Sequence, residues 1–170
     1  MRSTDILTDS LTRVGDGVAR LLDGLDDDAI AWRPDPRANT VAWLVWHIGR
    51  GVDAQVADVA GTEEVWGSGG WADRFALPFD EGATGYGQSA EDVGRVRVPA
   101  ALLRGYVDAT QAAALAYVAT LTDGDLDEVV DERWDPPVTL GVRLVSVVGD
   151  ATQHLGQASY VKGLWQRATR

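Results

Sequence analysis

Apolar residues spaced at threes and fours, with almost no strict alternation, constrain this chain more than any other feature. Leu7, Leu11, Val14, Val18, Leu21, Leu22 and Leu25 recur at those intervals with Asp5, Asp9, Arg13, Asp16 and Arg20 between them, the pattern of a helix with one buried face. After the turn-rich stretch DDDAIAWRPDPRAN, Asn39 or Thr40 is placed to cap a second helix over residues 41–60, which Gly61 stops. Val41, Trp43, Leu44, Val45, Trp46 and Ile48 cover most of that helix's circumference, so it lies deep in a bundle or between subunits. Residues 62–98 break the pattern and read as a long ordered connection with at most a short helix near 89–94. Pro99 suits the first position of a third helix that runs to Leu121, because its missing N–H costs nothing there. A second Asp-rich turn, TDGDLDEVVDERWDPPV, leads to a fourth helix over about residues 139–165. The β-like run VRV at 96–98 is too short for a strand.

The two halves rhyme. LDDDAIAWRPDPRANTVAWLV and LDEVVDERWDPPVTLGVRLV share an acidic turn, a tryptophan, an Asp-Pro pair and a threonine before an apolar helix, so each half reads as a helix pair. The 37-residue connection between the pairs exceeds what adjacent antiparallel helices need, but fits a crossover that returns along a bundle and leaves helices 2 and 3 parallel. The expected architecture is an all-α, four-helix bundle within one domain spanning residues 1–170. A chain of that length hides roughly 70% of its unfolded surface, enough for a core without staples.

Composition narrows the function classes. The apolar fraction of 45% contains no run approaching the ~20 residues that span a bilayer, so no membrane partner is expected. MRSTDILTDSLTRV lacks the apolar core of a secretory signal, which points to the cytoplasm. Cysteine is absent, removing disulfides, thiolate ligands and a cysteine nucleophile together. A net charge of -11 with scattered arginines makes nucleic acid a poor partner.

Two ionisable residues interrupt the apolar middle of the fourth helix. Within VSVVGDATQHLGQ, Asp150 and His154 stand four apart and project from one face, where they can grip the same ion. The apolar stripe runs through Leu144, Val148, Ala151, Leu155 and Ala158, with His154 inside its edge and Asp150 just beyond. A carboxylate buried there without a partner is expensive, so a partner is implied. The other histidine, His47, lies about 10 Å into helix 2 and His154 about 16 Å from the end of helix 4 at ~1.5 Å per residue, levels that meet if those helices are antiparallel neighbours. Two imidazoles and a carboxylate bind zinc, nickel, cobalt or iron(II) and leave coordination positions open. The alternative is an Asp150–His154 ion pair beside a core histidine.

AWLVWHIGR, DPPVTLGVRLVSVVGDATQHLGQASYVKGL, GSGGW and TGYG together resemble the DinB-like superfamily, most closely its actinobacterial branch related to mycothiol-dependent maleylpyruvate isomerase. The resemblance covers nearly the whole chain. It implies an up-down-down-up four-helix bundle, a homodimer, and a divalent metal, zinc or nickel, held by His47, Asp150 and His154. It also implies a glutamine after the last ligand, matched by Gln157. Asp150 departs from the family's usual Glu or His and is shorter. Relatives with an assigned activity bind the sulfur of mycothiol or bacillithiol and transfer it to an electrophile or isomerise a double bond. The expected partners are therefore a small thiol, mycothiol first, and a small electrophile; a non-catalytic metal-binding or dimeric interaction bundle with a vestigial site is the alternative.

Three further readings stand beside this one. Metal-lowered water would support hydrolysis on the same ligands, whereas a Ser-His-Asp hydrolase is disfavoured because neither Ser146 nor Ser159 sits on a strand-to-helix elbow. WGSGGW follows no strand and reads as a tight loop rather than a phosphate cradle, and Trp66 and Trp71 beside it are placed to edge a pocket. Gly141, Gly149, Gly156 and Gly163 form a smooth stripe, and each costs about 1 kcal/mol against alanine in a helix, so a neighbouring helix, of this chain or of a second subunit, is expected to pack there.

Overall fold

The four helices expected from periodicity are all present in the computed structural model, which describes residues 1–169, and each begins and ends for a local reason. The first, α1 (Ser3–Leu22), buries Leu7, Leu11, Val14, Val18, Leu21 and Leu22, and a short α2 (Asp27–Ala31) follows, capped by the Asp26 carboxylate on Ala29 N–H at 2.8 Å. In α3 (Val41–Ala60) Thr40, not Asn39, is the cap, accepting from Trp43 N–H at 3.0 Å. Gly61 ends α3 in the left-handed region at φ 63°, which favours a residue without Cβ.

The crossover is more structured than its sequence indicates, with α4 (Val65–Ser68), α5 (Trp71–Phe75) and α6 (Ala90–Val93). Only α6, capped by Ser89, is the helix expected there. WGSGGW supplies most of α4 and the turn into α5, and Trp66, Trp71, Phe75 and Tyr106 pack ring against ring. Aromatic burial therefore orders a segment whose glycines read as loop.

Pro99 precedes α7 (Ala100–Thr120) as its cap residue, with extended ψ of 144°, rather than forming the first helical residue. A small antiparallel ladder, β1 (Val129–Asp131) with β2 (Val138–Thr139), closes the second Asp-rich turn, where no strand was expected. Asp131 is buried there and held by Arg133 and Arg143, and its hydrogen bonds to Arg133 hold its carboxyl well below the usual range. Thr139 then caps α8 (Leu140–Ala168), which runs three residues past the expected end at Trp165.

Pairwise contacts give the directions. His47 and Gly51 of α3 face His154 and Asp150 of α8 in reverse order, so these helices are antiparallel neighbours. Tyr106 meets Gly49 and Asp53, and Tyr117 donates to Val59 O at 3.2 Å, so α3 and α7 ascend together. Helix α1 packs on α7 and α8. No helix among the described residues is long and apolar enough to cross a membrane.

Among the described residues the glycine stripe of α8 meets no long helix. A Cβ at Gly149 or Gly156 would meet nothing within 4 Å, Gly141 faces Leu126 in a short 3-10 helix (Asp125–Asp127), and Gly163 has Arg167 of its own helix nearest. The packing expected within the chain is thus absent, because α1 and α3 occupy the opposite side of α8.

Lys162, the chain's one lysine, closes the end of α1 from α8: its ammonium donates to Leu21 O at 2.7 Å, Asp23 O at 2.9 Å and Arg20 O at 3.4 Å. A cation there meets the negative end of the helix and carbonyls that lack intrahelical donors. Lys162→Met is expected to cost roughly 1–2 kcal/mol in urea unfolding, and a loss below ~0.3 kcal/mol would mean that water replaces the ammonium freely.

Candidate functional site

Helix α3 is buried nearly all round, and within that run His47 keeps only 12% of its side chain exposed. Trp43, one turn earlier, stacks on its ring with centroids 4.8 Å apart and planes 16° off parallel. On α8 the buried residues include Leu144, Val147, Ala151, Ala158 and Val161, which sets Asp150 and His154 on the flank turned toward α3. His154 points inward at 18% exposure, whereas Asp150 stands at the rim at 45%. A carboxylate at that depth keeps part of its hydration, so its cost is lower than full burial would exact.

The three side chains converge. One ligand atom from each of His47, Asp150 and His154 lies within 4.8 Å of the other two. His154 Nε2 is 3.4 Å from Asp150 Oδ1 and His47 Nε2 is 4.0 Å from Oδ2, while the two rings meet edge to face at 4.6 Å. Gly51 lies opposite the carboxylate, where a Cβ would stand 3.6 Å from Asp150 Oδ2.

The far nitrogen of each ring determines what the near one offers. His47 Nδ1 lies 2.5 Å from the Thr84 carbonyl, an obligate acceptor, so Nδ1 carries the proton and Nε2 the lone pair. His154 Nδ1 lies 3.3 Å from Gln157 Oε1, which gives that ring the same polarity. Burial pushes His47 below its ordinary pKa of 6.5, and a charge on His154 pushes it the same way against the Thr84 carbonyl and Asp150, so its neutral form prevails at neutral pH. With both rings in that tautomer, two imidazole lone pairs and a carboxylate face one another, an arrangement that a cation between them would relieve. Ligand bonds of ~2.0–2.1 Å at tetrahedral angles place donor atoms about 3.3 Å apart, close to the His154–Asp150 spacing. The donor set fits a divalent cation.

Crossover residues complete the surroundings; the sequence marked Thr84 and Gly85 only within TGYG, without a role at the site, and Gln88 not at all. Besides Thr84, Gln88 accepts from Trp43 Nε1–H at 2.7 Å, and Gly85, at φ 98°, lies so close that a Cβ would stand 2.7 Å from His47 Nδ1. Below them Arg50, fully buried, donates to Ala83 O at 3.0 Å and to Glu64 at 2.5 Å, and lies 3.6 Å from Asp53. Asp53 in turn accepts from Val65 N–H, Trp66 N–H and the Tyr106 hydroxyl. Burial, then the Asp53 charge, raises the Tyr106 pKa far above its usual value, so the phenol stays a donor. The available signal was WHIGRG, an arginine inside an apolar helix that has to find buried partners.

A separate cavity of about 320 Å³ opens on the other side of the crossover, walled by Trp46, Trp66, Leu77, Phe79 and Ala83. Trp66 therefore edges a pocket as expected, whereas Trp71 packs against Tyr106 and Phe75 and does not line it.

Among curated proteins none matches the chain. A crystal structure of a conserved protein from Enterococcus faecalis superposes with a TM-score of 0.89 at 31% identity, covering 95% of this chain and 96% of that one. The family model of the DinB superfamily matches residues 10–158, which includes His47, Asp150 and His154. The chain belongs to the DinB superfamily.

Proposed function

We propose that His47, Asp150 and His154 hold a divalent metal, zinc or nickel, and that the protein is a metal-dependent thiol S-transferase or isomerase with mycothiol as its thiol. The observation that carries this reading is the convergence of three acceptor atoms whose two imidazoles are each oriented by an outer acceptor, Thr84 O and Gln157 Oε1. A divalent cation there would deprotonate a thiol that is otherwise largely protonated at neutral pH. A chain without cysteine takes that sulfur from outside, and Asp150 at the rim leaves the site open to it. The small electrophile, the link to the actinobacterial branch and a reducing, cytoplasmic setting belong to the same reading. Metal analysis of purified and reconstituted protein tests its first half, and protein that takes up no divalent metal would overturn it. Titrating the cobalt-loaded protein with mycothiol tests the second: a thiolate-to-cobalt absorption band is expected, and its absence would leave the thiol assignment without support.

The long helices fit an up-down-down-up bundle, a reading supported by antiparallel α3 and α8 and parallel α3 and α7. We further propose that the protein is a homodimer through the outer face of α8, where Val142, Val145 and Tyr160 are exposed beside the open Gly149 and Gly156. Gly156→Leu introduces no clash within the chain, and it is expected to convert dimer to monomer in solution-mass measurements. An unchanged dimer would exclude this face.

A further inference from the structure

We infer that residues 83–85 form a strap that fixes the tautomer of His47, and that Arg50 anchors this strap as a positioning residue. Three consecutive crossover residues lie on consecutive features of α3. Arg50 Nε–H donates to Ala83 O at 3.0 Å, His47 Nδ1–H donates to Thr84 O, and Gly85 lies against the His47 and Trp43 rings with no room for a Cβ. His47 and Arg50 are three residues apart on one helix face, so their acceptors must be adjacent along the strap, as Ala83 and Thr84 are. Moving one carbonyl moves the other.

Arg50 is suited to anchor this because it is itself immobile. It is 0% exposed, its Nη1 meets Glu64, Asp53 and the Tyr106 hydroxyl, and its guanidinium lies 5.0 Å over the Trp66 ring. Through one planar fork it ties α3 to the start of α4, to α7 and to the crossover. Lysine offers a point charge on a flexible stem and cannot make the Nε–H bond to Ala83 while its ammonium remains with the carboxylates. The distant end of this chain of contacts is His47 Nε2. With Thr84 O in place the Nδ1–H form is selected and Nε2 faces Asp150 and His154; without it the proton is free to move to Nε2, and the site loses an acceptor.

The metal half of the test rests on the function proposed above, and the tautomer half does not. In metal-free wild type at pH 8, the imidazole nitrogen resonances of His47 are expected to report the Nδ1–H tautomer alone. Arg50→Lys, folded by circular dichroism, is expected to show a mixture and to bind zinc at least ~10-fold more weakly in a chelator competition, the loss usual for an outer-shell partner. A folded Arg50→Lys that keeps the pure Nδ1–H tautomer would overturn the role of Arg50. Should that variant not fold, Gly85→Ala displaces the strap while leaving Arg50 and its partners Glu64, Asp53 and Tyr106 unaltered; an unchanged His47 tautomer there would overturn the strap. Wild-type protein that binds no metal, with the tautomer mixture still appearing in Arg50→Lys, would reject the metal reading and keep the strap.

Discussion

His47→Ala is expected to abolish stoichiometric divalent-metal binding, lowering affinity by more than the ~10–100-fold that loss of an outer-shell partner costs. The residue removed is the most enclosed of the three, and it is the one supplied by α3. What would remain is Asp150 and His154 on one helix, a two-ligand site at the protein's edge. His154→Ala should behave alike, and elemental analysis of both variants against wild type checks it; metal content equal to wild type in either would assign the ion to other groups. The pH dependence has a definite sign. Burial favours neutral His47, so a proton competes with the ion less than 6.5 would imply, and binding is retained at neutral pH and lost as pH falls through the lowered value. The same shift makes the His47 contribution to folding stability fully present above about 6.5 and lost progressively in acid.

The largest loss of stability is expected away from this cluster. Asp53→Ala should cost about 3–5 kcal/mol, because it leaves three donors unpaired and the buried Arg50 charge with Glu64 as its remaining carboxylate. Those donors are Val65 N–H at 2.8 Å, Trp66 N–H at 2.7 Å and the Tyr106 hydroxyl at 2.8 Å. For a domain of this size, where total stability is roughly 5–15 kcal/mol, the melting temperature should fall by on the order of 10 °C. Asp53→Asn keeps an acceptor and should lose less. A loss under about 1 kcal/mol for the alanine variant, measured by thermal unfolding, would show that Glu64 and water compensate for Arg50 and that the network is not a brace.

The long helices were legible because burial imposes a period on them, and the rhyme between the halves proved local and physical: Thr40 and Thr139 are both N-caps, opening the helices that carry His47 and the Asp150–His154 pair. The meeting of those three residues was legible for the same reason, since rise per residue and helix direction set their levels. The crossover was not. Its glycines conceal α4 and α5, which owe their order to rings contributed by α7 and by each other, a tertiary effect with no local period. Thr84 and Gly85 stood out only as part of TGYG and Gln88 not at all, because Thr84 acts on the site through a backbone carbonyl, Gln88 through a side-chain amide on Trp43, and Gly85 by having no side chain. The β1–β2 ladder was hidden by its length, being shorter than any alternation that can be recognised.

The distance along the chain between His47 and His154 has a consequence for synthesis. His47 emerges about a hundred residues before its partners, which arrive only with α8. Until that helix docks, a cation would find a lone imidazole with little hold on it. The constellation therefore exists only once α8 has docked, and a cation held there would favour that state over every earlier one by mass action. With an ion between them the three side chains would act as a late clasp, joining α3 to a helix made long after it.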